Sequence, residues 1–142
     1  MNRIIRASER LNAAIDLPGV LDSAYSAFEN VLAVLRHHQE EDEAAFAAFI
    51  LSANAAANGR DWIAWAPALP SGSPPRDSGD DLLDSACVTD VVLAIAEVSA
   101  ELARRLSRYA VTAADLEDRE CCGHAAAEAA AIHALMSDAN PP

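Results

Sequence analysis

The chain has 142 residues, enough for one domain with a substantial core and short for two. Its 22 acidic and 10 basic residues leave a net charge of −12, which argues against nucleic acid as a partner because phosphate contacts need a basic stripe. Every basic residue is Arg, and no apolar run is long enough to span a bilayer.

Residues 2–15 have helical character, with Ile4, Ile5, Leu11 and Ile15 on one side. Asp16-Leu17-Pro18-Gly19 stops this helix, and Pro18 suits the first turn of the next. Val20, Leu21, Tyr25, Phe28, Val31, Leu32 and Leu35 then form a strong helical stripe. Residues 36–43, Arg-His-His-Gln-Glu-Glu-Asp-Glu, are all polar, after which Phe46, Phe49, Ile50 and Ala53 resume the stripe in nearly the same phase. No Gly or Pro falls between Val20 and Asn58, so this stretch is either one helix of roughly 60 Å or two shorter ones. The charges favour a break. Arg36, His37 and His38 suit a helix C-terminus, and Glu40 to Glu43 an N-terminus.

Asn58-Gly59 reads as a helix stop. Asp61 then caps a short turn carrying Trp62, Ile63 and Trp65, which Pro67 closes. Residues 67–81 lack apolar periodicity and hold four of the seven Pro and two of the five Gly, so they read as a mobile loop. The longest stripe follows between Asp84 and Tyr109. Val88, Val91, Ile95, Val98, Leu102 and Tyr109 recur at steps of three and four, Val92 and Leu106 widen the stripe, and Arg105 interrupts it. Thr112-Ala-Ala-Asp115 is a capping-box-like start for a last, Ala-rich helix to about Ser137. Residues 138–142 form a fraying tail.

These elements specify an all-α protein, a four- or five-helix bundle with one long Pro/Gly/Ser/Asp-rich loop, in one domain over residues 1–142. The expected core is Phe28, Leu32, Phe46, Ile50, Val91, Ile95, Val98 and Leu102.

The sharpest chemical pattern is a pair of His-x3-Glu spacings, His37 with Glu41 and His124 with Glu128. Each pair would face one way on a helix, and two such pairs on opposing helices could hold a metal. The Arg-His-His-Gln-Glu-Glu-Asp-Glu run superficially resembles hemerythrin-like cation-binding domains. That resemblance implies a site fed by histidines from four helices, whereas this chain has four His in all, two of them adjacent. The Glu-x-x-His motif of ferritin-like sites is absent. Cys121, Cys122 and His124 hint at a thiolate site, with Cys87 able to reach Cys122 if the two long helices pack antiparallel; the bland reading is that the cysteines are small core residues. Three Cys in no paired spacing are not a disulfide framework, and the N-terminus lacks the apolar stretch of a signal peptide. A cytoplasmic protein is expected.

No Gly-x-Ser-x-Gly, P-loop or Gly-x-Gly-x-x-Gly occurs, and no cofactor is expected. Trp62, Ile63 and Trp65 form a candidate partner-binding patch, because Trp is enriched at binding hot spots; the alternative is a plug at one end of the bundle. The leading functional expectation is a non-enzymatic helical interaction module: a subunit, an adaptor or an acidic neutraliser of a basic protein partner. The alternative is a bundle that binds a small molecule or metal through the His/Glu pairs. A homodimer is favoured over a monomer, formed through the Ala-rich face of residues 125–131.

Overall fold

Asp16 separates the first two helices. It is extended, with φ −133° and ψ 171°, and its carboxylate accepts the Gly19 backbone N–H at 2.9 Å, satisfying a donor that the new helix leaves free. The computed structural model describes residues 2–70 and 87–139. Within them, helices hold 84% of the residues and no strand occurs. The helices are α1 (Asn2–Ala13), α2 (Leu17–His38), α3 (Phe46–Ala64), α4 (Val88–Thr112) and α5 (Leu116–Ala139). None of them is long and apolar enough to cross a membrane.

The charged stretch after Leu35 does break the chain into two helices. α2 ends at His38, whose Nδ1 lies 2.7 Å from Glu41 Oε2. The acidic run occupies the turn ahead of α3 rather than its first helical turn, and Asp42 braces that turn by accepting the Ala44 N–H at 3.0 Å.

Four helices form a ring. α2 packs on α3, α3 on α5, α5 on α4 and α4 on α2, while the backbones of the diagonal pairs stay apart across the core. α1 lies across α2 and α4. Short turns make α2–α3 and α4–α5 antiparallel hairpins. α3 and α5 also run antiparallel, because Trp62 near the end of α3 stacks on His124 near the start of α5. One end of the bundle therefore gathers the α1–α2 turn, the end of α3 and the α4–α5 turn. The other gathers the α2–α3 turn, the start of α4 and the end of α5. α3 ends and α4 begins at opposite ends, on diagonally related helices.

The core runs down the middle of the ring. Phe28, Leu32, Val91, Ile95, Val98 and Leu102 are buried in it as expected, with Leu35, Phe49, Ile63, Leu106, Ile132 and Met136. Two expected members are not. Phe46 is exposed and Ile50 only half-buried, because the inward face of α3 is set by Phe49, Ser52, Ala53, Ala56, Gly59 and Ile63. α3 is apolar nearly all round, so periodicity could not choose between its faces. Ile5 and Ile15 also leave the expected stripe. α1 stops at Ala13, and Ile15 sits in the turn with 92% of its surface exposed.

Gly59 does not stop α3. The helix passes through it to Ala64, and the bare Cα lets the Phe28 ring of α2 lie against the backbone. Nor does Thr112 open a capping box. Its hydroxyl donates back to Arg108 O at 2.9 Å, closing α4, while Asp115 caps α5 by accepting from the Glu117 N–H at 2.8 Å.

Arg105, the polar interruption of the long stripe, tethers α1. Nη1 donates to Ala14 O at 2.8 Å and Nη2 to Asn12 O at 3.2 Å, satisfying carbonyls at the end of α1, while Nε donates to Glu101 at 2.9 Å. Of the expected mobile loop, residues 67–70 are held in place. Leu69 packs against the core, and the Ala68 N–H donates to Asp118 Oδ1 at 3.0 Å. Residues 71–81 of that loop and 140–142 of the expected tail lie outside the described residues, while Asp138 and Ala139 complete α5.

Candidate functional site

The histidine–glutamate pairs do not converge. His37 is exposed at the end of α2, its ring set edge-on to His38 at 4.8 Å between centroids. Glu41 lies past the helix end and pairs with His38, which is buried, not with His37. The helical spacing fails because the helix ends between the two residues. His124 and Glu128 do share α5, but the backbones of α2 and α5 stay apart across the core. Among the described residues no three His, Cys, Asp or Glu side chains come together as a metal-binding group.

The cysteines separate in the same way. The α4–α5 hairpin places Cys87, exposed at the head of α4, beside the far end of α5, while Cys122 is buried near its beginning. The antiparallel packing that was to join them holds them apart by the length of α4, roughly 35 Å at 1.5 Å per residue. All three thiols are free. Burial, with the Asp118 carboxylate and Cys121 adding to it, pushes the Cys122 thiol up to about 12.

The aromatic segment divides. Ile63 is fully buried. Trp62 lies flat on the His124 imidazole, with 4.0 Å between centroids and 12° between planes, an arrangement that ties α3 to α5. Trp65, the C-cap of α3, is 77% exposed.

Trp65 is one of a group. Ranked by exposure, the large apolar side chains of the described residues begin with Ile15 at 92%, Val111 at 78%, Trp65 at 77% and Leu116 at 61%. These four come from the α1–α2 turn, the end of α4, the end of α3 and the start of α5. All belong to the same end of the bundle. They are far apart in sequence, and three sit outside every apolar stripe, so only the topology groups them.

The charges are unevenly shared too. The apolar end carries Arg10, Arg60, Arg104, Arg105, Arg108 and Arg119 against Glu9, Asp16, Asp22, Asp61, Glu101, Asp115, Glu117, Asp118 and Glu120. Several of these are already matched: Arg60 with Asp61, and Arg104 and Arg105 with Glu101. The opposite end presents Glu40, Glu41, Asp42, Glu43, Asp90 and Asp138 with Arg36 beside them. Among the described residues, the opposite end is thus the more one-sidedly acidic of the two.

The outer face of α5 exposes Ala127, Ala130, Ala131 and Ala134, with Glu128 half-buried, while Ala125, Ala126 and Ala129 face the core. The chain matches no known protein family, no curated protein and no solved structure.

Proposed function

We propose that the protein is a non-enzymatic helical interaction module, a subunit or adaptor, that docks through the apolar end of its bundle. The observation that carries this reading is the grouping of Ile15, Trp65, Val111 and Leu116, the four most exposed large apolar side chains of the described residues, on one end. Scattered apolar residues need no explanation, whereas a cluster rimmed by polar groups marks an interaction surface. Aromatic residues, Trp above all, are the usual anchors of such surfaces. The shifted titratable groups have local causes: the Arg104 hydrogen bond and then burial and Arg105 for Glu101, Glu101 in turn for Arg104, burial for Cys121 and Cys122, burial with Glu29 for Tyr25, and the backbone N–H groups at the head of α4 for Cys87.

The basic partner suggested by the net charge would be met at the opposite end, at Glu40 to Glu43, where an acidic-neutraliser role would reside. The free thiols suit a reducing compartment such as the cytoplasm. The test is capture from extract of the native host, comparing the wild-type chain with a Trp65→Ser, Leu116→Ser variant. A companion held by the wild type and lost with the variant is the expected result. Equal capture by both places the interface elsewhere.

A further inference from the structure

We infer that the apolar end is occupied by a second copy of the chain, so that two bundles meet end to end in a two-fold symmetric dimer with their acidic ends pointing outward. This rests on the reading of that end as an interface, and goes further by naming what covers it.

Three observations choose the occupant. The first is where the charge lies. Two chains of −12 each repel, and a contact between them survives only where local charge is low. Among the described residues the apolar end offsets nine carboxylates with six arginines, whereas the other end sets Arg36 alone against six carboxylates, Glu40 to Glu43 the densest of them. α4 alone has 25 residues, so end-to-end contact keeps each acidic cluster roughly 35 Å from the junction, several Debye lengths at physiological salt. Side-by-side pairing through α5 would instead bring Glu128 and Asp138 of both copies alongside one another.

The second is self-complementarity. A two-fold interface sets one surface against itself, so it needs both signs of charge on that surface. Arg108, Asp115 and Glu117 are all exposed at this end, so across a two-fold axis each copy offers a cation to the other's carboxylates.

The third is area. The end of a four-helix bundle covers roughly 400–500 Å² with helices about 10 Å apart, against about 800 Å² per partner in a standard stable interface. That size fits a dimer in equilibrium with its monomer and is too small for an obligate one. It also fits a chain whose core is complete without a partner, as the fully buried Phe28, Ile95 and Ile132 show.

Sedimentation equilibrium of the purified chain, from low micromolar to near-millimolar concentration at low and high salt, tests the inference. The mass is expected to rise from 15.0 kDa towards twice that value with concentration. Added salt is expected to favour the dimer, because it screens repulsion between like-charged copies. A Trp65→Ser, Val111→Ser variant alters two exposed side chains and is expected to stay monomeric, with the circular dichroism of the wild type. An Ala131→Glu variant on the outer face of α5 is expected to associate normally. A wild type that stays monomeric overturns the inference. So does a dimer that survives in the double variant, is abolished by Ala131→Glu, or dissociates as salt is added. A monomeric result leaves the wider reading standing if capture from host extract still depends on Trp65 and Leu116, and fells it if that capture is also independent of them.

Discussion

A Cβ atom added to Gly59 would stand 2.5 Å from Cε1 of Phe28 and 2.6 Å from its Cζ, closer than real Cβ atoms approach any neighbour. Phe28 is fully buried, so its ring has no solvent to retreat into. Gly59→Ala sets two effects against each other. Alanine improves helix propensity by about 1 kcal/mol, while overpacking a filled core costs about 1–3 kcal/mol. With the ring hemmed in, overpacking wins, and a net loss of up to about 2 kcal/mol is expected in urea unfolding at an unchanged m-value. Phe28→Leu in the same chain removes the clashing ring atoms. The double variant should therefore lose less than the sum of the singles. A Gly59→Ala chain more stable than wild type would show that the ring can move aside.

The dipeptide Asn58-Gly59 looks like a stop because Gly commonly ends helices, yet glycine also serves where two backbones come close. One chain without its partner helix cannot tell the two uses apart. The same limit governs the rest. Periodicity exposed the faces of α2 and α4, where bulky residues alternate with polar ones, and it failed on α3, where alanine surrounds the helix. The break after His38 was legible because Arg and His give way to a run of carboxylates. The apolar end was scarcely legible: Ile15, Trp65, Val111 and Leu116 share one end only through the antiparallel order of helices distant in sequence. One of its four members, Trp65, was glimpsed in the Trp62, Ile63 and Trp65 segment, of which Ile63 proved to be core.

Arg105 makes a second test of a residue that interrupted a pattern. Its guanidinium satisfies two carbonyls at the end of α1, those of Asn12 and Ala14, and pairs with Glu101. Arg105→Ala is expected to cost about 1–3 kcal/mol, the range for hydrogen bonds to a charged group, towards the low end because the side chain is partly solvated. The loss should concentrate in α1, read as faster amide exchange over residues 4–13. Arg105→Lys keeps the charge and loses the fork that reaches both carbonyls, so it should rescue only part. Unchanged exchange in α1 would mean that Ile4, Ala7 and Leu11 hold that helix unaided.

Glu101 supplies a pH dependence. The Arg104 side-chain hydrogen bond, offset by burial and aided by Arg105, holds its carboxyl below the ordinary value of 4.5. A carboxyl that ionises more readily in the folded chain contributes stability above its unfolded pKa and loses that contribution as pH falls through the folded one. Glu101→Gln should therefore lower stability at neutral pH and flatten the decline below about pH 4.5. Parallel acid limbs for variant and wild type would assign the decline to other carboxylates.

The three thiols make the last prediction, because the bundle treats them oppositely. Cys87 is exposed at the head of α4, where the backbone N–H of Asp90, then that of Thr89, draws its pKa down. Burial raises Cys121 above its ordinary value and, with Asp118 and Cys121 adding to it, pushes Cys122 up to about 12. Iodoacetamide at neutral pH should modify Cys87 alone in the folded chain and all three in denaturant, read by peptide mass. The sign for stability also follows. In the unfolded chain the Cys122 thiol ionises near 9.0, while the folded chain keeps the proton to about 12. The folded state binds the extra proton over that interval, so stability falls as pH rises through it. Cys122→Ala removes the group from both states and should flatten the alkaline decline, at the expense of a small cavity. Early alkylation of Cys122, or an alkaline decline unchanged in Cys122→Ala, would mean that the start of α5 opens to solvent far more often than its packing against α3 and α4 implies.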